Sequence, residues 1–349
     1  MRRATQSLTS ILTLSGLALL LVLGSAASAE ENSEECKAFA ADRDADLGEV
    51  LKAGCEPTLA QMSALMDNPV GNVAMLFTQL DVWRLTNDEI PGTNEIQTNY
   101  MGILQFPKGI SENWNLINRV VWNVPSIPLS QSKIDDFGGF PTFLPPGGGP
   151  SQPPSSGAFV PVDVFSGRTT GFGDMYYVGL FSPKKPINHS PGVNSVWGLG
   201  FDLAFPTASE DILGDGKFSA GPSAVYVYLG KKWKLGGLLQ QYFDFAGDGD
   251  RDDVNLSNLQ VFYYYSISNT VSIGAGPNII ANWEADSGDR FTVPIGLGIN
   301  KTFQFGKVPV RFGVEFHYNV IRPDTVGSDW DLRFFVIPSA PSALFGWMQ

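Results

Sequence analysis

A chain of 349 residues with a formal net charge of −12 and no basic patch argues against nucleic acid as a partner, since its binders cluster Lys and Arg. Glycine (38) and proline (24) punctuate the chain and phenylalanine (24) dominates its aromatics, which points to many strands and turns rather than a helical bundle. The two cysteines, Cys36 and Cys55, have no histidine near them, which argues against zinc.

The first segment, Met1–Ala29, reads as a secretory signal peptide: a charged start at Arg2 and Arg3, a mostly apolar run from Leu8 to Leu23, and small residues at Ala27-Ser28-Ala29. The competing reading is a membrane-anchor helix. Thr13, Ser15 and Gly16 interrupt its apolar run, and its far flank is acidic (Glu30, Glu31, Glu34, Glu35). Cleavage would remove Arg2 and Arg3 and move the charge from −12 to −14. In an oxidising compartment Cys36 and Cys55 are expected to pair, closing a small loop before the first strand. Residues 30–68 form a helical lead. Glu34–Met66 has helical spacing and few β-branched residues; Glu56-Pro57-Thr58 opens a second short helix, Thr58–Met66, and Asn68-Pro69 stops it. Three arrangements are open to this lead: it covers the near mouth of a strand-built body, enters that body as a plug, or hangs loosely.

Residues 69–349 read as strands. The candidates are Asn72–Arg84, Ile96–Phe106, Trp114–Val124, Gly171–Phe181, Ser195–Phe205, Ser219–Gly230, Trp233–Phe245, Asn255–Ile267, Thr270–Trp283, Arg290–Phe303, Val308–Val320 and Ser328–Ile337. Alternation is clearest in Val310–Val320. Val310, Phe312, Val314, Phe316, Tyr318 and Val320 lie on one face, with Arg311, Gly313, Glu315, His317 and Asn319 on the other. A soluble strand runs about 5–6 residues, and a bilayer-crossing strand about 9–11. After the first segment no run is long and apolar enough for a membrane helix, so a membrane-spanning chain of this kind must close as a barrel.

The connections alternate with strand parity. Pro107–Ile110, Lys184–Val193, Lys231-Lys232, Ser268-Asn269 and Gly306-Lys307 are mostly brief, and Lys108, Lys184, Lys185, Lys231, Lys232 and Lys307 sit on them; Leu85–Glu95, Pro125–Thr170, Pro206–Phe218, Ala246–Val254, Glu284–Asp289 and Ile321–Gly327 are read as the longer set, with Asp211, Asp215, Asp248, Asp250, Asp252, Asp253, Asp286, Asp289 and Asp324 on them. Short turns on one side and long loops on the other are the outer-membrane pattern. The predicted architecture is therefore all-β: a single-chain antiparallel transmembrane β-barrel of about twelve strands with a short N-terminal helical segment. It sits in the cell outer membrane with both termini periplasmic. Trp83, Trp122, Trp233, Tyr242, Trp283 and Trp330 are candidates for the interfacial girdles.

Alternation assigns a wet bore lined by Arg119, Asp202, Gln240, Asp244, Asn282, Arg311, Glu315, His317, Asn319, Asp331 and Arg333, residues able to set selectivity or simply to tie wall to wall. Arg311 and Arg333 are expected near Glu315 and Asp331. The 125–170 loop is rich in Pro and Gly and holds Phe137, Phe140 and Phe143, and two readings stay open: it folds into the pore, where these rings would meet an apolar solute, or it is a flexible surface loop. Asp248, Asp250 and Asp252 have a spacing that suits calcium, but no completing bidentate acid is in register, so a solvated acidic loop is the simpler reading and no metal is assigned.

Several phrases carry a family resemblance: NPVGNV (Asn68–Val73), GFGDMYYVGLFSP (Gly171–Pro183), WGLGFDLAFPTASEDILGDGKFSAGPSAV (Trp197–Val225), ANWEADSGDRFTVP (Ala281–Pro294) and YNVIRPDTVGSDWDL (Tyr318–Leu332). They resemble a bacterial outer-membrane family labelled MetA-pathway of phenol degradation, some members of which bear the misleading name neuromedin U. The resemblance runs over roughly 69–338. It implies a barrel that passes small, often aromatic, compounds, with no catalytic residues to carry over. Two departures are the length of the 125–170 loop and a chain that continues to Gln349 rather than stopping on an aromatic assembly signal.

The functional expectation is an outer-membrane channel for passive movement of small hydrophobic or aromatic solutes. It needs no cofactor, meets outer-membrane lipid and the barrel-assembly machinery, and works as a monomer. Two other classes stay open. A surface receptor or adhesion barrel would act through its acidic loops. A lipid hydrolase would need a Ser–His pair facing lipid, whereas His317 is predicted to face inward and His189 to sit on a short turn.

Overall fold

The computed structural model describes residues 34–42, 45, 47–71, 73–86, 94–132, 167–306, 308–324 and 327–341. The signal segment, most of the 125–170 loop with Phe137, Phe140 and Phe143, and the end of the chain lie outside them. The chain divides into two compact units, Met1–Pro57 and Thr58–Gln349. The first contains helices α1 (Glu34–Ala41) and α2 (Leu47–Lys52) and the Cys36–Cys55 disulfide.

The second unit begins with α3 (Leu59–Met66). Thr58 opens it with a capping box: its hydroxyl accepts the Gln61 N–H, and the Gln61 side chain accepts the Thr58 N–H. The strands are β1 (Val73–Thr86), β2 (Asn94–Gly109), β3 (Trp114–Ile127), β4 (Thr169–Thr170), β5 (Met175–Pro183), β6 (Ile187–Ser190), β7 (Val193–Phe205), β8 (Lys217–Leu229), β9 (Trp233–Gly247), β10 (Asn255–Ser266), β11 (Val271–Ala275), β12 (Asn278–Asn282), β13 (Phe291–Phe305), β14 (Val308–Ile321) and β15 (Gly327–Pro341). Consecutive staves pair antiparallel, and β1 pairs with β15, so the sheet closes on itself. β11 and β12 are two halves of one stave, while β4 and β6 are short side arms on β3 and β7. The result is a closed twelve-stave barrel in which every stave is paired on both sides, so closure removes the sheet edges that would otherwise recruit another chain.

Alternation places the side chains. On β13 Ile295, Leu297 and Ile299 are about half exposed on the outside, while Thr292, Asn300 and Thr302 are buried inside. Two girdle assignments fail on parity. Trp83 shares its face with Gln79 and Asp81, and Tyr242 shares its face with Gln240, so both rings point into the barrel and are only 1% exposed. Trp233 and Trp283 do face outward. The segment read as a plain turn at Lys184–Val193 contains β6, which folds back on β7.

One stave is broken by its own sequence. Pro277 lacks an N–H, and the β11–β12 stave loses its pairing to β13 between Gly298 and Thr292. The freed backbone groups find other partners, as buried amides must. Gly276 N–H donates to Glu315 Oε2 (3.0 Å), and Gly276 C=O accepts from Arg333 Nη1 (3.0 Å). Across the gap the Tyr263 hydroxyl takes both the N–H (3.0 Å) and the C=O (2.9 Å) of Gly296.

Candidate functional site

The barrel interior has two unlike walls. On β2, β3, β5, β9 and β10 the inner face carries an apolar cluster of Met101, Ile103, Val121, Tyr176, Tyr242 and Leu256, interleaved with the polar Gln105, Arg119, Lys234, Gln240 and Asn258. A second cluster of Ile117, Val178, Leu180, Val196, Val225, Val227 and Leu238 continues it. The inner face thus carries apolar patches among the polar side chains that alternation assigned to it. On β5 both faces are apolar, so alternation there does not mark which one faces in. On β14, β15 and β1 the inner face is charged. Between the walls lies a cavity of about 150 Å³, lined from both sides.

The charged wall is a connected network. Arg333 Nε donates to Asp81 Oδ1 (2.7 Å), and Gln79 Nε2 donates to Asp81 Oδ2 (2.6 Å). His317 has a carboxylate at each ring nitrogen, Asp331 at Nδ1 (2.7 Å) and Glu315 at Nε2 (3.1 Å). Tyr264 donates to the other Glu315 oxygen (2.7 Å). Glu315 and Arg333 are cross-strand partners, as are His317 and Asp331. Closure of the barrel adds Asp81 from β1, at the opposite end of the sheet's sequence and outside any pattern that local spacing displays.

The floor of the cavity is supplied by α3. Met66, Asp67 and Pro69 line it. Asp67 bridges two cations from separate staves, Lys234 at 2.7 Å and Arg311 at 2.9 Å. Arg311 also donates to Ser63 C=O (2.9 Å), and Ser63 Oγ meets Thr302 Oγ1 (3.2 Å). Arg311 thus departs from the expected company of Glu315 and Asp331. Its strand partner is Ile337, and its counter-charge comes from the end of the helix.

The remaining sequence candidates separate by position. Arg119, Gln240, Arg311, Glu315 and Arg333 line the cavity. Asp202, His317, Asn319 and Asp331 are buried behind its surface. Asp202 accepts from Gln240 Nε2 (3.3 Å), and Asn319 Nδ2 donates to Ser328 C=O (2.6 Å). Asp244 and Asn282 do not reach the cavity. Asp244 holds the Val254 N–H (2.9 Å) near Lys217, and Asn282 Oδ1 caps the Glu284 N–H (3.2 Å), both at loop-side strand ends. Among the described residues no three His, Cys, Asp or Glu are grouped to hold a metal. Asp248 Oδ1 accepts the Asp250 N–H instead, a turn of the loop itself. Sequence reasoning missed Asp67, Gln79, Asp81, Gln105, Lys234 and Tyr264. Inward parity would have flagged Gln105 and Lys234; Asp67 lay hidden as a helix-stop residue.

The loop-side mouth carries a second built feature. Asp174, between β4 and β5, accepts N–H groups from Thr207 (2.9 Å), Ala208 (3.0 Å) and Asp215 (2.7 Å), stapling down the loop that buries Ile212 and Leu213. Burial raises the Asp174 pKa against those three bonds. It raises that of Asp215 further, helped by the neighbouring Asp174 and opposed by Arg251.

No family model matches the chain, and no curated protein matches it in sequence. Among solved structures, the COG4313 outer membrane channel from Pseudomonas putida F1 superposes with a TM-score of 0.53 at 15% identity, over 78% of this chain and 97% of that one. The fold is that of an outer-membrane β-barrel. Looser likenesses are outer membrane phospholipase A from Escherichia coli (TM-score 0.38, 12% identity, 82% of this chain and 98% of that one) and a Pseudomonas aeruginosa FadL homologue (0.33, 10%, 80% and 94%). Neither bears on activity.

Proposed function

We propose that this protein is an outer-membrane channel through which small apolar, ring-sized solutes diffuse. The observation that carries this reading is the half-apolar cavity of about 150 Å³ inside a closed twelve-stave barrel, floored by α3. An apolar cavity of about that size accommodates a benzene-sized molecule. The barrel of similar fold from Pseudomonas putida F1 is described as an outer membrane channel, and the sequence resemblance implies aromatic solutes. Short lysine-bearing turns support a periplasmic side for the termini and α3, with the Asp-rich loops outside. The chain acts as a monomer with a cleaved 1–29 signal. A hydrolase reading finds no support at His317, because both ring nitrogens face carboxylates. His189 does meet a hydroxyl, Ser195 Oγ at 2.9 Å, but Ser195 is fully buried and out of reach of a lipid ester.

Liposome uptake tests the proposal. Vesicles holding the full mature chain should take up toluene and phenol faster than empty vesicles, and glucose no faster. Uptake equal to that of empty vesicles for every solute defeats it, and so does a purified chain that stays soluble without detergent.

A further inference from the structure

Among the described residues four cations line the cavity, and three are neutralised by contact. Lys234 and Arg311 share Asp67, and Arg333 holds Asp81. The fourth, Arg119 on β3, is in no ion pair and no hydrogen bond among the described residues, although its side chain is about nine-tenths buried. Its Nε–H has no acceptor. Asp202 acts on it only through space; one Asp202 oxygen is engaged by Gln240, and the residue does not line the cavity. Directly across the β2–β3 ladder from Arg119 is Gln105, 1% exposed, and its Nε2 amide also lacks an acceptor. Two buried donor groups side by side, both aimed into one cavity and both without a partner, cost free energy unless a bound molecule supplies the oxygen.

The apolar part of the site adjoins them. Val121 is the next residue after Arg119 on the same face of β3, Ile103 precedes Gln105 on β2, and Val121 and Tyr176 are cross-strand partners. We propose that Arg119 and Gln105 form the polar end of a solute-binding site whose ring-sized apolar end is Ile103, Val121 and Tyr176. Its ligand is a single-ring compound bearing one oxygen acceptor, either a carboxylate or a phenolic hydroxyl. A planar guanidinium with an adjacent amide donor matches either oxygen and has nothing to offer an unsubstituted hydrocarbon. This inference rests on the channel reading above and sharpens its solute class.

The test is titration of the detergent-solubilised full barrel with benzoate, phenol and toluene by calorimetry, beside the vesicle uptake assay. Wild type should bind benzoate, phenol or both more tightly than toluene. Arg119→Met and Gln105→Met should each weaken that oxygen-bearing ligand about tenfold and leave toluene unchanged, and Arg119→Lys should restore part of the loss. Loss confined to benzoate assigns an anion, and loss confined to phenol a neutral hydroxyl; either supports the site. Equal weakening of all three ligands, or a wild type that does not discriminate, overturns it. Gln105→Met keeps the test decisive if Arg119→Met fails to fold. Uptake without discrimination sinks this inference alone. Arg119-dependent binding without uptake sinks the channel reading and leaves the site standing.

Discussion

Arg333 joins parts of the interior that lie far apart in the chain. It meets Asp81 on one neighbour and the Gly276 carbonyl across the broken stave, so one guanidinium ties three staves together. Removing one member of a buried pair strands the other charge, which costs about 3–5 kcal/mol. Arg333→Met is therefore expected to lower unfolding stability in detergent by that order, read from urea titrations, while Arg333→Met combined with Asp81→Leu should recover much of it. No recovery would mean that the pair does not act as a unit. Gly296 works at the same scale by being small. A Cβ there would run into the His317 imidazole. Gly296→Val should displace that ring from Asp331, visible as a changed histidine side-chain NMR signal; an unchanged signal would show slack that the close packing denies.

At the scale of elements, α3 and the broken stave set what the interior can do. Asp67 is a counter-charge shared by Lys234 and Arg311, so Asp67→Asn leaves two cations facing one another at the floor of the cavity. The helix is then expected to lift, and planar-bilayer recordings should show more frequent or larger openings than wild type. Identical traces would mean that α3 is a fixed floor and not a latch. The gap between β12 and β13 depends on Tyr263. Tyr263→Phe leaves the N–H and C=O of Gly296 without that partner at membrane depth, a loss of about 1–3 kcal/mol. Thermal unfolding in lipid should report it as a lower midpoint.

For the molecule as a whole, the loop-side mouth should respond to pH. Asp174 and Asp215 both have raised pKa values in the folded state, so the folded chain holds protons that the unfolded chain has released. Stability from this source is present at acid pH and is lost as pH rises from the ordinary aspartate value through the raised folded values. Hydrogen exchange at the Thr207, Ala208 and Asp215 amides, corrected for the intrinsic rate, should be slower in mild acid than at neutral pH. Asp215→Asn should flatten that dependence. An unchanged profile in the variant would move the effect to other groups.

Alternation along β7, β13 and β14, loop lengths that track strand parity, and the Pro69–Pro338 run of strands were enough to read a twelve-stave barrel from the chain alone, because inside and outside are written residue by residue when the two solvents differ. On β5 (MYYVGLFSP) both faces are apolar and the signal vanishes, which is why the apolar cluster around Tyr176 went unread. Which charge meets which was decided only by tertiary structure. Asp81 reaches Arg333 because the first stave closes on the last, and Asp67 reaches Lys234 and Arg311 because a short helix enters between staves far apart in the chain. Closure and stagger are properties of the ring and belong to no single strand. The unpartnered state of Arg119 is likewise visible only once every other cation lining the cavity has found its anion.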